Sequence, residues 1–285
     1  MVQVQENGGN QYSFYKEEME REINKNYMLM AELSKALMNE EFQMYYHPLI
    51  DLNTGKISSV ETLLRWKHPV YGFISPLDFI PLAEEVGTIV EIGHWVLRQT
   101  CRQIEIWQKE GMKTLPVSVN LSAVQLQQGD IASIVKEVVY ESNIESNLLI
   151  IEVNESVMMQ NVETTINILH ELKAFGVQIV IDDFGTYYSS LQYLNNFPLD
   201  MIKIDRCFVR DMIDHKKDRE LVKMIIELSH QLGMKVIAEG VENKTQLELL
   251  RELECDEVQG YFYSKPMEVS EVERYVKKWG VISKE

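Results

Sequence analysis

Residues 177–185 read VQIVIDDFG, a short apolar run that ends in two adjacent aspartates. The segment before it, Val162–Phe175, has apolar residues at helical spacing, and Gly176 suits a helix C-terminus. A helix that leads into a buried strand is part of the unit that parallel α/β sheets repeat. This stretch therefore predicts a parallel sheet, provided that the same alternation continues on either side.

The alternation does continue in both directions. Further segments with helical periodicity predict helices at Trp95–Glu110, Ile131–Glu141, Asp218–Leu232 and Lys244–Leu253. Apolar runs predict eight strands, at Phe42–Ile50, Val60–Trp66, Pro116–Leu121, Leu148–Val153, Val177–Ile181, Met201–Ile204, Lys235–Ala238 and Glu257–Phe262. Eight strands alternating with helices predict an α/β fold, a TIM-like (β/α)8 barrel. The less regular stretches 66–94 and 184–200 predict loops or short extra helices.

The N-terminal region differs from the rest of the chain. Residues 1–10 are polar, and residues 15–39 have the apolar spacing of a single helix. We therefore divide the 285 residues into a tail and connector helix, 1–39, and a barrel domain, 40–285. One barrel of this length is ordinary.

The composition excludes several classes of partner. The formal net charge is −16, and a chain this acidic repels duplex nucleic acid and anionic membrane surfaces. No apolar run approaches the roughly 18–20 residues that span a bilayer, and the polar N-terminus has no signal-peptide core. The cysteines Cys101, Cys207 and Cys255 are widely spaced and odd in number, which fits a reducing compartment. We expect a cytoplasmic protein without membrane contact in this chain.

Polar side chains stand at the carboxyl ends of seven of the eight runs. They are Glu61, Asn120, Glu152, Asp182 and Asp183, Lys203 with Asp205, Glu239 with Glu242, and Gln259. In such barrels the active site lies at this face and is built from the ends of several strands. A single acid at a strand end is more often a solvated loop residue, and Asn120 alone could be a helix cap. Seven strand ends with the same feature favour one shared site.

Several carboxylates in one partly dry pocket repel one another, and burial favours their protonation. Bound divalent cations remove this conflict. Asp, Glu and Asn oxygens suit Mg²⁺, Mn²⁺ or Ca²⁺ better than zinc or copper. The neighbours Asp182 and Asp183 could serve two metals, and a metal pair about 3.5–4 Å apart is a known device for displacement at phosphorus. Lys203 would add a positive charge near a water or a phosphate oxygen.

The same residues fall within a set of ordered motifs. These are ETLLRW (61–66), SVNLS (118–122), EVNES (152–156), DDFGT (182–186), KIDR (203–206), EGVE (239–242) and QGY (259–261). Over about Phe42 to Met267 the chain resembles the EAL domain family of bacterial cyclic di-GMP signalling. The resemblance implies a metal-dependent phosphodiesterase that hydrolyses cyclic di-GMP to linear pGpG.

Carried over position by position, the resemblance implies a two-metal site for Mg²⁺ or Mn²⁺, which Ca²⁺ would inhibit. Glu61, Asn120, Glu152 and Asp182 would hold one ion, and Asp182 and Asp183 would reach the second, with Glu239 near it. Lys203 would position or help deprotonate the attacking water, supported by Glu242, Gln259 and Glu239. Arg65 would contact a substrate phosphate and His47 a guanine, and Glu155 would anchor the loop after Asp183.

The resemblance also implies partners. Residues 15–37 are similar to the connector that follows a GGDEF domain, so the full-length protein could carry GGDEF or sensor domains and a membrane anchor. The family further implies a homodimer.

Four positions depart from the family pattern. Thr62 replaces an alanine and points away from the Glu61 face, whereas His47 replaces a glutamine and Asn154 a threonine. Tyr187 replaces a glycine, and a bulky residue at positive φ costs roughly 1–2 kcal/mol.

Asn154 and Tyr187 leave open an alternative, a catalytically weak or degenerate domain that binds cyclic di-GMP or a protein partner as a regulatory module. An unrelated metal-dependent barrel enzyme of the enolase type is a third reading, which the ordered motifs disfavour.

Overall fold

The computed structural model describes residues 17–112, 115–128, 130–186 and 194–280, with side chains from Ile23 onward. Residues 187–193 of the irregular stretch 184–200, including Tyr187, lie outside the described residues.

Strands and helices alternate along most of the described chain. The strands are β1 Phe42–Asp51, β2 Ile57–His68, β3 Gly72–Ile74, β4 Val117–Leu121, β5 Leu149–Asn154, β6 Gln178–Phe184, β7 Met201–Ile204, β8 Lys235–Ala238 and β9 Glu257–Val258. The helices are α1 Glu17–Ala36, α2 Pro76–Val86, α3 Ile89–Lys109, α4 Ala123–Gln127, α5 Ile131–Ser142, α6 Glu155–Met158, α7 Val162–Phe175, α8 Arg206–Asp211, α9 Lys216–Gln231, α10 Lys244–Glu252 and α11 Val269–Trp279, with a 3₁₀ turn at Ser146–Leu148.

Eight of the strands close into a barrel, which confirms the predicted fold class. Their order around the ring is β1-β9-β8-β7-β6-β5-β4-β2, with β2 pairing back onto β1 and β3 attached outside β2. Seven ring strands run parallel, but β1 is antiparallel to both of its neighbours. The reason is local, because residues 52–56 are too few for a helical crossover and permit only a hairpin.

The ring is closed by one of its three shortest pairings, each of two residue pairs. Strand β9 pairs with β1 through only Ile50–Val258 and Asp51–Glu257, and a bridge between Tyr46 and Met267 adds to the seam. The prediction that this strand runs to Phe262 is wrong. At Gly260 a Cβ atom would lie 2.2 Å from the Val241 carbonyl oxygen, so the chain turns against that backbone instead of continuing the sheet.

An apolar layer fills the barrel below its carboxyl end. It consists of Leu49, Ile150, Val180, Met201 and Ile237, one from each of five strands and all buried. Side chains on a strand return to the same face every second residue. Two residues beyond four of these apolar residues come Glu152, Asp182, Lys203 and Glu239. The polar residues therefore form the next layer above a dry base.

The region 66–94 is more regular than predicted. Helix α2 begins at the cap Ser75, whose Oγ accepts from the Leu77 amide at 3.3 Å, and ends at Gly87 with φ 82°. Helix α3 begins at Ile89, six residues before the predicted start at Trp95. Gly93, a weak helix former, lies inside α3 because a Cβ there would be 2.1 Å from the Gln125 amide nitrogen.

Helix α1 packs on the outside of the barrel. Leu29, Leu33 and Ala36 are fully buried in one cluster with Trp66 and Phe79. The predicted boundary between residues 39 and 40 remains a prediction, and this contact means that α1 and the barrel share buried surface. Within the described ranges, no helix combines the length and the apolar character that a membrane crossing requires.

Candidate active site

A buried lysine surrounded by carboxylates lies at the centre of the barrel mouth. Lys203, from β7, is 1% exposed. Its Nζ lies 2.6 Å from Glu239, 2.9 Å from Glu152, 3.2 Å from Glu61 and 3.5 Å from Asp182. These four acids come from four different strands or strand ends, so the closed ring itself brings them together. One ammonium cannot balance four carboxylates, and the cluster carries excess negative charge.

Glu61 is held from both sides by amide groups. Gln259 Nε2 donates to its Oε2 and Asn120 Nδ2 to its Oε1, each at 2.9 Å. Asn120 lies in β4, which is next to β2, and Gln259 follows β9, which lies on the other side beyond β1. They fix the Glu61 carboxylate in one orientation.

The two aspartates of DDFG occupy an irregularity in β6. The register with β7 shifts between Ile181 and Phe184, and Asp183 has a left-handed backbone with φ 55°. A bulge of this kind re-aims side chains, and here it lets consecutive residues face one site instead of opposite faces of the sheet. The Asp183 amide donates to Asp182 Oδ1 at 2.9 Å.

These aspartates and Glu239 form a group suited to a cation. One ligand atom from each of Asp182, Asp183 and Glu239 lies within 4.8 Å of the others. The donors are all carboxylate oxygens, which suit magnesium, manganese or calcium. This group and the neighbouring Glu61, Asn120 and Glu152 therefore fit divalent metal binding.

Burial and like charge shift the pKa values of these acids upward. Burial first, and then the Glu61 charge, raise the pKa of Glu152 to about 8. Burial, followed by Asp182 and Asp205, raises the pKa of Asp183 to about 6. Burial also raises the pKa values of Asp182 and Glu239, against the pull of Lys203. Carboxyl groups that hold protons near neutral pH are the expected result of crowding without cations.

The pKa values of Glu61 and Lys203 shift in the directions that keep both groups charged. Burial opposes the charge of each, yet Lys203 and the two amide donors lower the pKa of Glu61. The pKa of Lys203 is raised well above its ordinary value, since the surrounding carboxylates outweigh its burial. The lysine is therefore an ammonium ion in this arrangement.

A cavity of about 900 Å³ opens above the cluster. Its lining contains eight of the predicted site residues, namely His47, Glu61, Arg65, Asp182, Asp183, Glu239, Glu242 and Gln259. The other predicted residues do not line it. Asn120 donates to Glu61, and Glu152 accepts from Lys203. Glu155 is fully buried and accepts from the Gly185 amide at 2.8 Å, which ties it to the segment after Asp183.

Three departures from the family pattern lie near the cluster. Thr62 is buried and donates to the Ser118 carbonyl at 2.6 Å, so it faces away from the cavity as predicted. His47 Nε2 lies 3.0 Å from the Ser264 carbonyl oxygen, which makes that nitrogen the donor. Asn154 lines the cavity, donates to Asp183, and caps α6 by accepting from the Ser156 amide at 2.9 Å. An asparagine here therefore contacts a candidate metal ligand directly.

Two polar or aromatic residues of the cavity wall, Arg206 and Tyr261, were not predicted from the sequence. Asp205, which was expected at a strand end but was given no role, lies beside Asp183. Each is part of a quoted motif, KIDR or QGY. Their position next to Lys203 and Gln259 in those motifs was the signal that could have identified them.

Comparison with known proteins agrees with this geometry. The family model of the EAL domain matches residues 30–266. The bifunctional diguanylate cyclase/cyclic di-GMP phosphodiesterase MucR of Pseudomonas aeruginosa is 38% identical over 267 residues, 94% of this chain and 39% of MucR. The cyclic di-GMP phosphodiesterase PdeR of Escherichia coli is 37% identical over 279 residues, 98% of this chain and 42% of PdeR.

Among solved structures, the PaMucR phosphodiesterase in complex with c-di-GMP superposes with a TM-score of 0.83 at 39% identity, covering 86% of this chain and 99% of that one. The chain spans between 30% and 42% of the length of these and similar curated relatives. The matched family model covers most of the residues and includes every strand of the barrel. The chain belongs to the EAL domain family.

Proposed function

We propose that this chain is a metal-dependent phosphodiesterase that hydrolyses cyclic di-GMP to linear pGpG. The observation that carries the proposal is the crowded acid cluster around Lys203, next to the group of Asp182, Asp183 and Glu239. The relatives MucR and PdeR, which carry the activity in their names, support the choice of substrate. In the reaction, water adds to one phosphorus and the P–O3′ bond breaks. The product keeps a 5′-phosphate, and a proton from water ends on the released 3′-oxygen.

Two divalent ions, Mg²⁺ or Mn²⁺, complete the proposed site. Glu61, Asn120, Glu152 and Asp182 would hold one ion, and Asp182, Asp183 and Glu239 would hold the other. Bound metal ions supply positive charge to phosphate oxygens and make water more acidic. The donor set supports this assignment, since these residues offer only oxygen ligands.

The protein side chains have separate roles in the proposal. Lys203 acts through its positive charge, and its raised pKa favours positioning of water over deprotonation by the lysine. Glu242 and Gln259 would support the attacking water, and both border the cavity. Arg65 would bind a phosphate and His47 a guanine base. Glu155 would anchor the segment after Asp183 through its bond with Gly185.

The whole protein is proposed to act in the cytoplasm as a homodimer, with GGDEF or sensor domains joined to this chain. The bifunctional name of MucR and its greater length support the additional domains.

The test is incubation of the purified chain with cyclic di-GMP and Mn²⁺, with pGpG measured by chromatography. A matched control carries Glu227→Ala, which removes an exposed acid on α9 far from the cavity lining. Conversion by both proteins is expected. Tight binding of cyclic di-GMP without conversion would instead favour the regulatory module, for which the contact of Asn154 with Asp183 is the specific support.

The effect of Ca²⁺ on activity distinguishes a site with two closely spaced metal ions from a site with one weakly constrained ion. We expect Ca²⁺ added to the Mn²⁺ assay to inhibit, because its larger radius and flexible coordination suit a compact pair poorly. The measurement is pGpG formation at fixed Mn²⁺ with rising Ca²⁺. Turnover supported by Ca²⁺ alone, at a rate near that with Mn²⁺, would contradict the two-metal proposal.

A further inference from the structure

Two arginines stand on opposite walls of the catalytic cavity. Arg65 belongs to β2, and Arg206 follows the carboxyl end of β7. In the ring order, three strands separate β2 from β7 on each side. The two residues therefore rise from diametrically opposite points of the barrel, and both line the cavity.

The cavity is otherwise acidic. Six of its lining residues are acids: Glu61, Asp182, Asp183, Asp205, Glu239 and Glu242. Among the described residues of the lining, Arg65 and Arg206 are the cations, while Lys203 lies beneath and is surrounded by carboxylates. An anionic substrate in this cavity thus meets positive side chains at two points, one on each wall.

Arg206 is held beside the proposed metal ligands. A Cβ at Gly240 would lie 2.5 Å from the Arg206 Cβ and 3.3 Å from its Cα, so Arg206 packs directly on the backbone that follows Glu239. On its other side Asp205 caps α8 by accepting from the Cys207 amide at 2.8 Å. The start of the Arg206 side chain is therefore fixed next to Glu239, whereas the residue is exposed toward the cavity.

Within the described ranges no ion pair joins Arg206 to a carboxylate, although its charge acts on the neighbouring Asp205. Arg210, one turn later on α8, shows the contrast: its guanidinium bonds Asp211 at 2.7 and 2.9 Å. A guanidinium that lines a ligand cavity without a carboxylate partner is suited to bind phosphate, for which arginine geometry is favourable.

We infer that Arg206 is a second phosphate-binding residue, opposite Arg65, and that the pair selects a substrate with two phosphate groups. This inference rests on the proposed function, since a cyclic dinucleotide carries two phosphodiesters on one small ring. Arg65 and Arg206 each contact one phosphate, and the phosphate near Arg206 is the one beside Asp182, Asp183 and Glu239. A substrate with a single phosphodiester uses one arginine at most.

The experiment compares Arg206→Ala, Arg206→Lys and the control Arg210→Ala, which removes the same charge from the same helix. With cyclic di-GMP, Arg206→Ala is expected to raise KM at least tenfold, with kcat within about threefold. Arg206→Lys should recover part of the loss, and Arg210→Ala should match the unmodified chain. Bis(p-nitrophenyl) phosphate has one phosphodiester, which must lie at the metal ligands beside Arg206, so Arg206→Ala should raise KM for it as well. Arg65→Ala should raise KM for cyclic di-GMP only, and equal effects of Arg65→Ala on both substrates would contradict selection by the pair.

Equal KM values for Arg206→Ala and Arg210→Ala would overturn the inference. A fall in kcat of the same size on both substrates would also overturn it, because that result indicates a disturbed metal site and no selection for two phosphates. If the unmodified chain does not convert cyclic di-GMP, the proposed hydrolase function fails. Calorimetric binding of cyclic di-GMP to the same proteins then still decides whether Arg206 binds the ligand.

Discussion

The two ends of the barrel each bury a glutamate beside a lysine, with opposite balance. At the amino end of the strands, Glu257 is 3% exposed and accepts from Lys235 at 3.1 Å and from Ser58 at 2.6 Å. Each Glu257 oxygen has one donor, and the charges are equal. At the carboxyl end, Lys203 is shared among four carboxylates, and Asp183 adds further charge. The charges at the amino end balance each other, while the excess negative charge at the carboxyl end requires further cations.

The number of opposite charges distinguishes the two sites. A structural ion pair has equal positive and negative charge, whereas the candidate active site has an excess of carboxylates. Burial of an ion pair is costly, but a balanced pair with hydrogen bonds can persist as part of the fold. An excess of buried carboxylates persists only with bound protons or metal ions. The raised pKa values of Glu152 and Asp183 follow from that excess.

The largest expected effect is on turnover. Replacing Glu61 or Asp182 with Ala should lower pGpG formation by 10⁴-fold or more, about 5 kcal/mol, because each removes a ligand from the proposed metal site. Glu257→Gln, at the amino end, should stay within about threefold. Both are measured with saturating Mn²⁺, with circular dichroism to establish folding. Near-normal turnover by Glu61→Ala or Asp182→Ala would contradict the assignment of the metal site to the carboxyl end.

The second effect is on stability. Lys203→Met leaves four buried carboxylates without their cation and should lower the free energy of unfolding by roughly 3 kcal/mol in EDTA. Saturating Mn²⁺ should return much of that loss. Lys235→Met should also destabilise, but its loss should be the same in EDTA and in Mn²⁺. The measurement is urea unfolding under both conditions. If the stability loss of Lys203→Met is the same in EDTA and in Mn²⁺, the carboxyl end does not depend on cations in the way proposed.

A third prediction concerns protons. Metal binding requires ionised ligands, and the pKa values of Glu152 and Asp183 are raised to about 8 and about 6. Lowering the pH from 8 to 6 should therefore weaken Mn²⁺ affinity, by about tenfold per pH unit for each proton released. Calorimetry in buffers of different ionisation heat counts these protons. Glu152→Gln should reduce the count, and Glu257→Gln should leave it unchanged.

The smallest effect is expected at Tyr187, which lies outside the described residues. If the ring only occupies its loop, Tyr187→Gly should change turnover by less than twofold, about 0.4 kcal/mol. If the tyrosine holds the loop in a less competent form, the glycine variant should be faster or need less metal. Both are read from pGpG formation at several Mn²⁺ concentrations. A sharp loss of activity would show that the tyrosine supports the working loop.

Much of this architecture could be predicted from periodicity and strand ends. The strands Met201–Ile204 and Lys235–Ala238 and the helix Val162–Phe175 match the structure at both ends. The polar residues at the strand ends do converge, because the carboxyl ends of the parallel strands surround a single opening of the barrel.

Other features depend on contacts that no local pattern contains. The end of β9 follows from the approach of Gly260 to the Val241 backbone, and the glycine inside α3 follows from Gln125 lying against Gly93. The left-handed backbone of Asp183 is imposed by the bulge against β7. Sequence placed Asp182 and Asp183 side by side but could not show that both face the same cavity.

The seam between β1 and β9 has a consequence for the order of folding. The β1–β2 hairpin joins residues close in sequence, so it can form early, whereas Ile50 and Val258 are brought together only after the rest of the ring exists. Strand β9 has only two residue pairs on each side, so it should be among the first parts of the barrel to open, and amide hydrogen exchange should be fast there. Gln259, the donor to Glu61, directly follows the seam. Closing this seam is therefore also the step that brings Gln259 to Glu61.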